Sequence, residues 1–156
     1  MYYSHMNQIE DVQSCAPYQL TEALMQSGKF TETQLDAALA TVGLSATKWN
    51  VLRQLVEADG QLPLGQLAIK LACVKSNATQ LVDRLEAEKL VRRVPDPEDR
   101  RSILAELTTE GRQCYAAGLT VVQHFERQLL DDYLPEEQLL LHKLLSRLAG
   151  IAAASR

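Results

Sequence analysis

The chain has 156 residues, of which 46% are hydrophobic and 23% charged, a composition typical of one folded domain and not of a disordered polymer. Its formal net charge of −4 is opposite in sign to the large positive excess of proteins that coat nucleic acid or bind anionic membranes. No apolar run approaches the roughly 18–20 residues of a spanning helix, and three widely spaced cysteines form neither a disulfide framework nor a metal motif. We expect a cytoplasmic protein with free thiols, no metal, no other cofactor and no membrane contact.

The first segment with helical periodicity covers residues 19–42, where apolar residues form two stripes on either side of Ser27-Gly28. Thr31 followed by Gln34 matches a capping box, which favours a helix start at that point. The pattern leaves open whether the segment is one kinked helix or two short ones. Gly43 is expected to end it, as glycine commonly does just past a helix.

Three amphipathic segments follow, and the last two are joined by a turn of only three residues. Ser45 is suited to cap a helix over 46–58, and Pro63 suits the first turn of a short helix over 64–71. The next helix, 75–89, is apolar on one side and polar on the other. Two helices joined by so short a turn are typical of a helix-turn-helix.

The hydrophobic period then changes from 3.6 to 2, which predicts strands at 90–94 and 102–107. Between them, residues 95–99 combine two prolines with acidic turn formers and are not expected to form a regular element. A hairpin with a long charged tip after a helix-turn-helix predicts a winged helix-turn-helix, whose second helix enters the major groove of DNA.

Two long helices complete the chain. Thr108 or Thr109 caps the first, which is expected to run to about Tyr133, and Pro135 opens the second, expected over 136–153. The last helix carries a wide apolar face, formed by Leu140, Leu141, Leu144, Leu145, Leu148 and Ile151. The predicted fold is therefore mainly α with a small β-hairpin wing.

Several spaced signatures resemble the MarR family of bacterial transcriptional regulators. They are Gly43-Leu44-Ser45, Trp49, Leu81-Val82-Asp83-Arg84-Leu85-Glu86, Leu90-Val91, Asp99-Arg100-Arg101-Ser102 and Leu107-Thr108-Thr109-Glu110-Gly111. The resemblance implies one MarR-like domain over 1–156, with a winged lobe at 44–107 and dimerisation helices at 16–42 and 108–153. The leucine face of the last helix is too apolar to be left in water, as such a homodimer requires.

The resemblance also implies that the groove-facing start of the recognition helix holds Lys75, Ser76, Asn77, Thr79 and Gln80. Ser76 and Thr79 can donate hydrogen bonds to phosphates or bases, and Asn77 and Gln80 can pair bidentately with adenine. The family often has arginine in place of Gln80 and serine in place of Val74, so base preference does not transfer. Arg84, one turn further, is expected on a phosphate or an internal carboxylate.

In the wing, the motif Asp99-Arg100-Arg101 matches the D-x-R tip of the family. The resemblance implies that Arg101 enters the minor groove, that Asp99 orients it and that Arg100 lies on a phosphate. Simple solubilising charge is the rival interpretation of these arginines. For Arg92 and Arg93, alternation along the strand predicts one phosphate contact and one structural ion pair, without indicating which is which.

Two cysteines are candidate redox sensors. Thiol-switch members of the family have a reactive cysteine near the start of the first helix; Cys15 lies roughly there, although its surroundings match poorly. Cys73 replaces the valine usual in the helix-turn-helix turn, and apolar packing suits it better than sensing. Cys114, early in the fifth helix, is expected to be a packing residue.

The sequence predicts a homodimeric DNA-binding regulator, a repressor of a pseudo-palindromic operator that a small aromatic or other effector, or thiol oxidation, releases. The alternative is a winged-helix module that binds proteins and not DNA. An enzyme is not predicted, because the chain has no nucleophile elbow, phosphate-binding glycine loop or spaced carboxylate pair.

The negative net charge argues against a nucleic-acid partner, but the distribution of charge along the chain does not. Residues 61–105 hold eight basic and six acidic side chains, a local charge of +2, while the remainder holds eight basic and fourteen acidic ones. The acidity therefore belongs to the predicted dimer body. With so small an excess, we expect modest and salt-sensitive non-specific affinity, and discrimination that depends on a few contacts.

Overall fold

The computed structural model describes residues 18–99 and 101–150. In chain order the elements are α1 (Gln19–Ala40), α2 (Ala46–Glu57), β1 (Gln61–Pro63), α3 (Leu64–Lys70), α4 (Lys75–Ala87), β2 (Val91–Pro95), β3 (Ile103–Leu107), α5 (Thr109–Leu129) and α6 (Pro135–Leu148). The predicted fold, mainly α with a small β wing, is confirmed. None of the described helices is long and apolar enough to cross a membrane.

The wing is a three-stranded antiparallel sheet in the order β1-β3-β2, one strand more than the predicted hairpin. The additional strand, β1, has three residues and pairs Leu62 with Ala105 of β3. Such a short strand carries no period-2 signal, so only its long-range pairing defines it. The exclusion of Pro95 from regular structure was also wrong, because it closes β2 opposite Ile103, where an edge position tolerates the missing N–H.

One hydrophobic core holds the helix pair and the wing together. It consists of Leu39, Leu44, Val51, Leu52, Leu55, Leu62, Leu67, Val82, Leu85, Val91, Ala105 and Leu107. Only Leu39 of this set comes from α1, so the core lies almost wholly between the start of α2 and the end of β3.

The first predicted segment is one continuous helix, which resolves the alternative left open between one helix and two. Thr31 does not cap a new helix: its hydroxyl donates to the carbonyl of Ser27 at 2.8 Å, inside α1. The Ser27 hydroxyl likewise donates to the Ala23 carbonyl at 2.7 Å. Both hydroxyls are satisfied by the preceding turn, as serine and threonine within helices commonly are. Gly43 has a φ of +75°, and the helix ends before it as predicted.

Two predicted caps are confirmed. Ser45 accepts a hydrogen bond from the Lys48 N–H at 3.2 Å, and Thr108 accepts one from the Gly111 N–H at 2.9 Å. The choice between Thr108 and Thr109 is therefore resolved in favour of Thr108. α5 ends at Leu129, four residues earlier than predicted, because residues 131–133 form a turn before Pro135 opens α6.

The apolar face of α6 is exposed in the single chain. No residue of α6 is buried, and its leucines at positions 139, 140, 141, 144, 145 and 148 are 41% to 68% exposed. Ile151, the last residue of the predicted face, lies outside the described residues. A row of exposed leucines of this length is unfavourable in water and marks an interaction surface.

Candidate nucleic-acid interface

The turn between α3 and α4 aims the start of α4 away from the core. Ala72 has a φ of +50°, and the N–H of Cys73 donates to the Ala68 carbonyl at 3.0 Å. On α4, the side chains of Ala78, Val82 and Leu85 are buried against the core. Because one helix face is anchored in this way, the opposite face and the first turn remain free to meet a partner.

Four of the five residues predicted at the start of the recognition helix are exposed: Lys75, Ser76, Asn77 and Gln80. Thr79 differs, because it is half-buried and its hydroxyl donates to the Lys75 carbonyl at 2.9 Å. That hydroxyl must leave its helical partner before it can donate to DNA.

Two grooves flank α4, and the predicted residues divide between them. Lys75 lines one groove together with Asp99 and Arg101 of the wing tip. A second groove, on the side of α1 and α2, is lined by Asn77, Gln80, Arg84, Glu32 and Thr47, among others. Arg84 is exposed and pairs with no carboxylate of the described chain, so the predicted internal partner is not found there.

The wing tip is shaped by the backbone contacts of Asp99. Its carboxylate accepts from the Arg101 N–H at 2.9 Å, and its carbonyl accepts from the Ser102 N–H at 2.8 Å. Asp99 therefore orients the backbone at Arg101, while the Arg101 side chain is exposed. Arg100 lies outside the described residues. The structure brings Lys75, Asp99 and Arg101 together and leaves both cations accessible.

The two strand arginines both form ion pairs within the chain, so the predicted structural ion pair is found at each of them, and the predicted phosphate contact stays a prediction. Arg92 binds Glu106 on β3 through two hydrogen bonds, of 2.7 and 3.0 Å. This pairing raises the pKa of Arg92 and lowers the pKa of Glu106. Arg93 is directed to α4, where it pairs with Asp83 and Glu86.

Sequence reasoning missed the carboxylates that receive Arg93. Alternation along β2 indicates that Arg92 and Arg93 point in opposite directions, but not which of them faces α4. Glu86 lies seven residues before Arg93, in the last full turn of the helix that leads into β2. That short separation is the one local signal that could have indicated the pairing.

Of the two candidate sensor cysteines, Cys15 and Cys73, the structure describes only Cys73. Cys15 lies outside the described residues, and Cys73 is half-buried beside Asn77 in the second groove. For Cys114, burial raises the pKa of the thiol; the Glu88 carboxylate raises it further, and Lys48 opposes the shift. A raised pKa lowers the thiolate fraction at neutral pH, which is the opposite of what a reactive cysteine needs.

The helix pair, the three-stranded wing and the exposed polar start of α4 define a winged helix-turn-helix DNA-binding protein.

Residues 44–103 match the sequence profile of the MarR family. The HTH-type transcriptional regulator YsmB of Bacillus subtilis is 33% identical over 57% of this chain and 61% of that protein. The HTH-type transcriptional regulator FarR of Neisseria gonorrhoeae is 30% identical over 84% of this chain and 89% of that protein. The chain belongs to the MarR family of DNA-binding transcriptional regulators.

Solved structures share the fold. A mutant MarR from E. coli, complexed with operator DNA, matches with a TM-score of 0.77 and 23% identity over 83% of this chain and 92% of that chain. The organohalide-sensing regulator RdhR in its 2,4-dichlorophenol-bound form matches with a TM-score of 0.77 and 18% identity over 89% of this chain and 86% of that chain.

Proposed function

We propose that this regulator is a homodimeric repressor of a pseudo-palindromic operator. The observation that carries the proposal is the first turn of α4, which is polar and exposed beside an accessible wing arginine while the opposite helix face is buried. The proposed division of the chain places the DNA-binding lobe at 44–107 and the dimerisation helices at 16–42 and 108–153. We assign it no catalytic role.

In the proposed complex, the start of α4 lies in the major groove and the wing tip lies over the adjacent minor groove. Ser76, Asn77 and Gln80 are placed to read base edges, because their side chains are exposed donors and acceptors. Lys75 and Arg84 supply charge to phosphates, Thr79 contributes if its hydroxyl turns outward, and Arg101 enters the minor groove. Arg100 is proposed on a phosphate and Asp99 as the residue that holds the tip.

The exposed leucines of α6 support the proposed homodimer. In a two-fold dimer, two copies of α4 meet half-sites roughly 34–36 Å apart, one turn of the double helix. A change of a few ångströms in that separation prevents simultaneous binding without unfolding either protomer.

Release by a small aromatic effector is proposed on the likeness to a fold relative that binds 2,4-dichlorophenol. Thiol oxidation is the second proposed input, through Cys15 or Cys73. The raised pKa of Cys114 argues against that residue as the sensor.

The test is operator binding by gel shift on promoter fragments, with wild type, Arg101→Ala and Arg53→Ala. Arg101→Ala should weaken specific binding by about 5- to 150-fold, because one groove arginine contributes roughly 1–3 kcal/mol. Arg53 lies on α2, with its guanidinium 5.8 Å from the centroid of the Trp49 ring, is not among the residues that line either groove, and serves as the control. A folded dimer that shows no specific shift at moderate salt would contradict the proposal and favour the protein-binding module.

A further inference from the structure

Arg93 joins the wing to the recognition helix. From β2, its Nη1 donates to Glu86 Oε2 at 2.6 Å, and its Nη2 lies 2.7 Å from Asp83 Oδ1 and donates to the Thr79 carbonyl at 3.2 Å. Glu86 also accepts, through Oε1, from the backbone N–H of Arg93 at 3.0 Å. One side chain therefore bridges β2 to residues spread along α4 from its second turn almost to its end.

We propose that Arg93 is a positioning residue that fixes the wing relative to α4, so that groove and wing contacts are made together. This inference rests on the proposed DNA-binding function. A guanidinium is planar and its N–H groups point in fixed directions, so three acceptors on one helix fix the angle between helix and strand as well as their distance. The Arg93 side chain is only 26% exposed, so water screens these ion pairs less than pairs on the open surface.

The position of the wing matters because Arg101 of the wing tip and Lys75 of α4 line the same groove. A rotation of β2 against α4 changes the separation of these two cations, and therefore which phosphates and which minor-groove position they reach together. With Arg93 in place, Arg101 is presented at one distance from the groove-reading residues.

Arg93 has a second effect that an experiment must separate from positioning. Asp83 and Glu86 are 57% and 39% exposed on the helix that faces DNA. Without Arg93, these two carboxylates are left without their cation near the phosphates and oppose binding by charge alone. Lysine at position 93 keeps the charge but lacks the planar fork, so Arg93→Lys separates the two effects.

Arg92 provides a matched control. It is the neighbouring residue on β2 and is also ion-paired, but its partner Glu106 lies on β3 and not on α4. Arg92→Gln removes the same charge from the same strand and leaves the link between wing and helix intact.

The experiment is a double-mutant cycle on operator affinity, measured by fluorescence anisotropy with the fragment found by gel shift. Arg101→Ala is made in wild type and in the Arg93→Gln, Arg93→Lys and Arg92→Gln backgrounds. If Arg93 positions the wing, the loss caused by Arg101→Ala falls to about twofold or less in both Arg93 backgrounds, because a displaced wing no longer contributes. In the Arg92→Gln background the full loss is retained, and both Arg93 variants show a smaller salt dependence than wild type.

Two results would overturn the inference. One is an Arg101→Ala loss that remains full in both Arg93 backgrounds, which would make Arg93 a stabilising residue only. The other is an Arg101→Ala loss in the Arg93→Lys background that equals the loss in wild type. Lysine keeps the charge without the planar fork, so Arg93 would then act through its charge alone. Failure of the proposed function is distinguishable, because wild type would then show no operator-specific binding and the inference would fall with it.

Discussion

Gly118 lies on α5 where this helix packs against Trp49 of α2. A Cβ atom there would lie 2.9 Å from Leu44 Cδ1 and 2.9 Å from the indole nitrogen of Trp49, both closer than such contacts allow. One turn earlier on α5, Tyr115 stacks on the Trp49 ring with centroids 5.9 Å apart. The missing side chain therefore lets α5 pack directly on α2, the helix that contacts both α3 and α4.

Replacing Gly118 by Ala should destabilise the fold by about 1–3 kcal/mol, because overpacking a filled contact moves the indole or the helix. Gly28→Ala is the matched control, since nothing lies within 4 Å of a Cβ added there. In the interior of α1 that change should stabilise by up to about 1 kcal/mol through helix propensity. Urea unfolding at one fixed protein concentration measures both, and equal effects of the two substitutions would contradict this account.

At the same scale, the two caps whose partners lie three positions away, at Ser45 and Thr108, were predicted correctly, whereas the capping box at Thr31 and the long-range partners were not. Ser45 and Thr108 cap helices as predicted because their acceptors and donors are fixed by the local chain. Arg93 takes its partners from a different element, and the hydroxyl of Thr79 is held by its own helix. Residue types alone do not distinguish a side chain directed to DNA from one directed to a neighbouring helix.

The recognition helix, α4, begins without a side-chain cap. Val74 occupies the N-cap position with φ −71° and ψ 150°, the extended geometry that a capping residue adopts, but valine has no acceptor. Its side chain is 63% exposed, so it contributes little to the core. The first N–H groups of α4 therefore lack the partner that serine or threonine supplies in other helices.

Val74→Ser should stabilise the free protein relative to Val74→Ala by about 0.5–2 kcal/mol, the usual difference between a capping residue and alanine. The reason is that the serine hydroxyl can accept from an N–H of the first turn, while alanine cannot. Thermal or urea unfolding of the two variants at equal concentration provides the measurement. A Val74→Ser variant no more stable than Val74→Ala would show that the backbone at position 74 does not permit capping.

Elements with a long periodic pattern were predicted well, and those defined by contacts were not. The helix pair and the two wing strands lie within one or two residues of their predicted bounds. β1 exists only because three residues pair with β3, and α1 continues through Ser27-Gly28 although its sequence contains a plausible second start. In each case the tertiary or helical context overrode a local signal.

For the molecule as a whole, α6 is the element that has no buried residue within the part of the chain that the structure describes. Its leucines are exposed and its residues are all outside the core, whereas the core lies mostly between α2 and β3 and also receives side chains from α1 and α5. The proposed dimer explains this difference, since burying such a face against a second copy removes apolar area from water.

The double substitution Leu144→Glu/Leu148→Glu should convert the dimer to a monomer at micromolar concentration, because charge would be buried in the leucine face. Operator affinity should then fall by about 100-fold or more, since the second half-site is no longer held at high effective concentration. Lys143→Gln/Arg147→Gln, which makes the net charge more negative by the same amount at the same spacing but keeps the leucines, is the control for charge. Sedimentation and anisotropy measure the two effects, and a Leu variant that remains dimeric would exclude α6 as the interface.

Local sequence was sufficient to locate the caps at Ser45 and Thr108, the helix pair, the two strands of the predicted hairpin and the leucine face, because each depends on residue types at short, regular spacing. It also showed that the negative net charge lies outside residues 61–105. The tertiary structure was needed to add β1 to the wing, to fit α5 against Trp49 at Gly118 and to direct Arg93 to α4. These features depend on pairs of groups brought together by packing of the core, and no spacing along the chain specifies which distant carboxylate or ring a side chain will meet.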